Sequence, residues 1–460
     1  MKRMLLYTMC ATALLSSCRI YKSYERAENL PVDGLYRDTA SSTGVLTSSD
    51  TTNFGNTPWK EVFTDPLLQQ LIEKGLQQNT DLQVAELSVK QMEALLTSSK
   101  LAYIPGLTLS PTGTISSFDH KAATKSYTLP VTADWQLDIF GSLRNAKGEA
   151  KSKLLQSRAY RQAVQTQLIA NISNLYYTLL MLDEQLAITR STAQIWKKNV
   201  DVMQAYYKAG TTTLAALSQS EGAYHQVAAA IPELEQNIRE TENALAVILH
   251  EAPHTIQRSR LNAQRLPENL SAGIPMQLLS NRPDVKAAEM NLRAAFYATN
   301  AAYSAFYPKI TLNGTAGWTN NAGVISNPAK FIANAVETLT QPLFAHGQLV
   351  ANLKISKAQQ EAASLNFEQA LLNAGKEVSN ALFQYQASIE KAQSLEKQVE
   401  SLQKAASVTD EFFRLGNNTS YLEVLSAHQS LLSAQLSLIS ERYTKMQAVI
   451  NLYASLGGGR

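Results

Sequence analysis

The sequence predicts a mainly α-helical chain with a smaller β portion made of barrel-type strands, and three observations carry that expectation. Two long segments, about residues 142–250 and 347–456, repeat apolar residues at coiled-coil spacing. Ahead of each stand runs in which apolar and polar residues alternate. The whole plan also occurs twice along the chain.

The duplication is read from paired stretches. "SVKQMEALLTSSKLAYIPGLTLSPTGTISS" from residue 88 matches "DVKAAEMNLRAAFYATNAAYSAFYPKITLNGTAGW" from residue 284, each a helical stretch that ends in an aromatic and a proline and then alternates. "WQLDIFGSLRNAKGEAKS" and "LTQPLFAHGQLVANLKIS" close the alternating regions and open the long helical segments. Those segments break at Gly210 and Gly416. The expected organisation is therefore a leader over residues 1–17, a first repeat over 18–280 and a second over 281–460.

The helices follow from period. From Phe367 the apolar positions Leu371, Ala374, Val378, Ala381 and Tyr385 step by four and three in turn, and Ala392, Leu395, Val399, Leu402 and Ala406 resume the pattern after one slip. Beyond the break, Leu425, Leu432, Ile439, Tyr443, Met446, Ile450 and Tyr453 form a second stripe that can fold back on the first, so each half is expected to build an antiparallel hairpin. A helix over 142–207 would be on the order of 100 Å long, far beyond what a globular core needs. Pro232, inside the segment after Gly210, is expected to kink it or shift its register.

The strands follow from alternation. In "SYTLPVTADWQLD" the residues Tyr127, Leu129, Val131, Ala133, Trp135 and Leu137 share one face, and Thr128, Thr132, Asp134 and Gln136 share the other. Leu107, Leu109 and Ile115, and later Ile310, Leu312 and Trp318, alternate with Thr, Ser and Asn in the same way; the run from Phe331 to Phe344 alternates poorly. This gives strands over about 107–137 and 309–343. Four strands cannot close a barrel, which takes about eight or more. Either a small sheet caps a helical protein, or several chains contribute to one barrel.

Composition narrows the class. The net charge of +3 is too small to point to nucleic acid, and charged residues make up only 17% while Ala, Ser, Gln, Asn and Leu abound, as suits helices that face each other or water. The N-terminus, "MKRMLLYTMCATALLSSC", has two basic residues and an apolar run that ends in small residues, the form of a secretory signal. Leu15-Ser16-Ser17-Cys18 has the form of a bacterial lipobox, which makes Cys18 the expected lipidation site. Because Cys10 lies inside the signal, the mature chain is expected to have no disulfide. No apolar run after Cys18 approaches the roughly 18 residues of a spanning helix, so a membrane crossing would have to use strands.

Four stretches resemble the outer-membrane efflux protein family, the TolC-like channels, and within it the lipoprotein branch. They are "TPWKEVFTDPLLQQLIEKGLQQNTDLQVA" from residue 57, "NRPDVKAAEMNLRAA" from residue 281, "PKITLNGTAGW" from residue 308 and "TSYLEVLSAHQSLLSAQL" from residue 419. The resemblance implies a homotrimer in which each chain gives four strands to a twelve-stranded outer-membrane barrel and its hairpins to a periplasmic helical tunnel. It also implies that residues 57–80, 251–281 and the C-terminal end form a collar. The implied function is that of an exit duct in a tripartite system, served by a periplasmic adaptor and an inner-membrane transporter of the RND type. No cofactor is implied beyond the lipid on Cys18.

Family members are held closed near the second hairpin turn by an aromatic residue, a basic residue and acids. Phe413, Asn418, Glu423 and Ser426 occupy those places, with only Glu423 keeping a charge, so the resemblance implies a gate held more by hydrogen bonds and packing than by ion pairs. The loop between Gly416 and Glu423 is one residue longer than the usual pattern. Glu423 equally suits a helix N-terminus capped by Thr419 or Ser420. Gly210, Thr211, Thr213, Gly416 and Thr419 are the implied adaptor contacts; a plain exposed helical turn is the other reading.

The residues also argue against two other readings. "HEAPH", His250 to His254, spaces its histidines like a zinc-protease motif, but Pro253 denies it the uninterrupted helix that the motif requires. A lipid-anchored scaffold that never spans the membrane would have no use for Tyr127, Leu129, Val131 and Trp135 on one strand face.

Overall fold

The computed structural model describes residues 22–26, 30, 35, 53–117, 119, 121–267, 270, 278–320, 330–415 and 420–459. The leader, Cys18, Gly416, Asn418 and Thr419 lie outside them. The chain divides into two compact units, each drawing segments from both halves of the sequence.

The helices recur in matched lengths. α1 (Trp59–Val62) and α2 (Pro66–Gln78) come first. Then follow α3 (Thr80–Leu101), α4 (Ser142–Lys208) and α5 (Leu214–Ile248), of 22, 67 and 35 residues. After the short α6 (Leu278–Asn281), α7 (Pro283–Ser304), α8 (Gln348–Arg414) and α9 (Tyr421–Ser455) repeat 22, 67 and 35. Pro232 sits within α5, which continues past it to Ile248. Among the described residues no helix is long and apolar enough to cross a membrane.

The first unit holds the sheet: β1 (Gly106–Leu109), β2 (Thr112–Ser116), β3 (Thr124–Leu137), β4 (Lys309–Thr319) and β5 (Lys330–Thr340). All pairings are antiparallel, β1 and β2 both pairing with β3, then β4, then β5. The first expected strand is split at Ser110-Pro111, since proline has no N–H to give the ladder. Register puts Leu129 opposite Trp318 and Trp318 opposite Phe331, so one face collects Leu107, Leu109, Leu129, Val131, Trp135, Trp318, Phe331 and Leu339, all exposed. Gly317 is needed where β4 meets β3, because a Cβ there would come within 2.2 Å of the Leu129 carbonyl oxygen.

Pairing also explains the weak alternation of the last strand. Residues 331, 333, 335, 337 and 339 of β5 share the apolar face, and only Glu337, in the cross-strand row Trp135–Leu312–Glu337, breaks it. The Asp138 carboxylate then accepts hydrogen bonds from the Leu143 and Arg144 amides at 2.8 and 2.7 Å, satisfying free N–H groups where α4 begins.

In the same unit residues 22–26 lie on α7. Glu289 is buried, and Arg26 donates to both its carboxylate oxygens at 2.7 and 2.6 Å. The Tyr24 ring meets Phe296 edge-on, and burial pushes its hydroxyl up to about 12.

The second unit is helical. The seam residues Leu371, Ala374, Val378, Ala381, Tyr385 and Ala406 are buried, whereas Ala392, Leu395, Val399 and Leu402 are half-buried. Ala193, Trp196 and Val227 form a small core against Ile231, Leu425 and Leu432, joining α4, α5 and α9. Asp65 caps α2 and accepts from Tyr176, Ser259 and Gln264. Burial pushes its carboxyl up, but those hydrogen bonds and the Leu67 amide outweigh burial and leave it below its ordinary 3.8. Arg258 bridges Asp183 and Glu242. The buried Arg282 binds Asp284, Glu377 and the Ser455 carbonyl, while Tyr453 donates to the Thr57 carbonyl at 2.7 Å. Residues 57–80, 251–267 and the C-terminal end are thus linked by polar contacts within this unit.

Candidate functional site at the hairpin tips

The first tip is built by its own backbone. Gly210 takes φ +74°, the left-handed conformation that ends a helix, and the Gly210 and Thr211 amides donate to the Tyr207 and Tyr206 carbonyls at 3.0 and 2.9 Å. The Thr213 hydroxyl caps α5 by accepting from the Ala216 amide at 3.2 Å. Gly210, Thr211 and Thr213 all remain exposed.

At the second tip α8 ends at Arg414, and Ser420 opens α9 with a capping box whose second member is Glu423. The Glu423 carboxylate therefore reaches back to the Ser420 amide, at 3.3 Å, and is exposed, as is Ser426. Phe413 instead sits among rings: Tyr421 at 5.8 Å and Tyr206 of the other hairpin at 6.4 Å between centroids. The Tyr421 hydroxyl and the Ser220 hydroxyl of α5 are 2.7 Å apart. Burial pushes the Tyr421 hydroxyl up, as does the Asp410 charge, against the Ser220 hydrogen bond. A cavity of about 100 Å³ opens here, lined in part by Met203, Tyr206, Asp410, Phe413 and Tyr421.

One contact at this tip was not expected. His428 Nε2 lies 2.9 and 3.0 Å from the two oxygens of Asp410, an ion pair when the ring is protonated, joining α8 to α9. In an antiparallel hairpin, residues equidistant from the turn face each other, and Asp410 and His428 are equidistant from Thr419. That spacing was the available signal. "HEAPH" does not form the helical face that its motif needs: α5 ends at Ile248, His250 takes φ +58°, and His254 turns to the Ala252 carbonyl at 2.9 Å.

A sheet with one apolar exposed face, joined in sequence to two pairs of antiparallel helices of 67 and 35 residues, defines a channel-type outer-membrane protein rather than a scaffold. The model of the family "Outer membrane efflux protein" matches residues 71–250 and 274–458. The chain is 28% identical to the cation efflux system protein CusC of Escherichia coli (strain K12) over 458 residues, covering 99% of each. It is 29% identical to the probable outer membrane lipoprotein SilC of Salmonella typhimurium over 417 residues, covering 88% of this chain and 89% of SilC. The solved outer-membrane channel OprN superposes with a TM-score of 0.85 at 26% identity, over 96% of this chain and 99% of OprN.

The chain belongs to the outer membrane efflux protein family. It is an outer-membrane exit duct of an efflux system.

Proposed function

We propose that three copies of this chain close one twelve-stranded barrel, that Cys18 carries the lipid anchor, and that the duct is gated where the two hairpin tips meet. The carrying observation is the sheet: four strands wide, with one exposed apolar face, and with β1/β2 and β5 as edges that have no partner strand among the described residues. Open edges in a bilayer leave unsatisfied backbone groups, and pairing β5 with β1/β2 of the next copy removes all of them. The tips then engage the adaptor through Gly210, Thr211, Thr213, Gly416 and Thr419, and an RND-type transporter delivers cargo from the inner membrane. Phe413 acts in the gate through Tyr206 and Tyr421, with Asp410–His428 beside it. Asn418, Glu423 and Ser426 complete its polar rim. This leaves cargo choice to the transporter.

The test is single-channel conductance in a planar bilayer together with native mass of the detergent-purified protein. The reading expects a trimer mass, small conductance for the wild type and larger conductance for Phe413→Ala and for His428→Gln. A monomer mass, or tip variants with wild-type conductance, would overturn it; absence of acyl mass on the mature N-terminal peptide would remove Cys18.

A further inference from the structure

In the second unit a groove of about 690 Å³ lies between residues 261–267 and the two helices α8 and α9. That volume is within the range of small-molecule sites. One wall is held in place: Leu261 is buried, the Gln264 amide donates to Asp65 at 2.8 Å, and the Arg265 carbonyl accepts from the Thr64 hydroxyl at 3.2 Å. The groove is thus formed before any ligand arrives.

Its charge is one-sided. Arg265, Arg442 and Lys445 face it with one carboxylate, Glu396, which Arg442 engages at 3.3 Å. Arg265 and Lys445 form no ion pair among the described residues, and the Lys445 ammonium stands 5.8 Å from the centre of the Tyr385 ring. Apolar lining comes from Leu266, Pro267, Ala392, Met446 and Val449. Two uncompensated cations over an apolar floor suit a ligand that is an anion at one end and apolar at the other, since each part meets its complement.

We propose that this groove binds a small organic anion, with its carboxylate, sulfonate or phosphate between Arg265 and Lys445 and its apolar body against Leu266, Met446 and Val449. The assignment does not depend on the gate or on the number of copies in the barrel.

The test uses the full-length purified protein and pyridoxal 5′-phosphate, an anionic aldehyde that borohydride fixes onto amines, followed by peptide mapping. Lys445 is expected to label at least about tenfold faster than the exposed Lys397, the scale of one charge contact. Benzenesulfonate should suppress that labelling and neutral benzamide should not. Arg265→Gln should slow Lys445 labelling while Lys397 and the helical circular dichroism stay unchanged. Equal rates at Lys445 and Lys397, equal suppression by benzamide, or protection by an acidic peptide but not by benzenesulfonate would each overturn the proposal.

Discussion

Replacing Arg26 by alanine removes the only guanidinium hydrogen-bonded to Glu289 among the described residues. The Glu289 side chain is 5% exposed and the Arg26 side chain 46%. Breaking a fully buried pair costs roughly 3–5 kcal/mol and an exposed pair is worth at most about 1, so this half-exposed clamp is expected to cost about 2 kcal/mol. That is roughly a 30-fold rise in the opening equilibrium of the segment of α7 around Glu289. Amide hydrogen exchange on peptides from residues 286–300 reads it directly, because local opening sets the exchange rate there. Arg26→Ala should speed that exchange about 30-fold, and adding Glu289→Gln should recover most of it by removing the stranded charge. Unchanged exchange in the single variant, or a double variant no slower than the single, would refute the account in which the N-terminal segment neutralises a buried carboxylate.

Other outcomes follow from the same geometry. Leu129→Arg, on the exposed apolar face of β3, should impair membrane insertion by about 2–4 kcal/mol, whereas Thr132→Arg on the opposite face should insert normally in liposome flotation. Arg282→Met leaves Asp284 and Glu377, both about half exposed, to water but strips the Ser455 carbonyl of its buried donor, and should destabilise the fold by about 1 kcal/mol, read as earlier loss of helical circular dichroism on heating. Asp65, held below 3.8 in the fold, stabilises it above that pH and loses the contribution as pH falls through the folded value. The stability gap between wild type and Asp65→Asn should therefore be full at pH 7 and shrink below about pH 3.8 in acid titration.

Much of this architecture is written in local pattern. The seam from Leu371 to Tyr385 and the faces of "SYTLPVTADWQLD" were legible because a helix repeats every 3.6 residues and a strand every two, so a short window fixes which side chains share a face. The caps at Thr213 and Ser420, and the left-handed turn at Gly210, are local for the same reason. The poor alternation after Phe331 was not resolvable that way: only pairing with β4 assigns Glu337 to the apolar face and Val336 to the other. The Phe413 ring cluster needed α4 beside α8, and Asp410–His428 needed the hairpin to close. Sequence by itself determined the types of the long helices and strands and the faces of those that repeat cleanly. Tertiary structure decided which buried charge found its partner, as with Arg26 and Glu289, 263 positions apart. No window of the sequence records that distance in space, because the penalty for an unpaired buried charge exists only once the surrounding segments have packed.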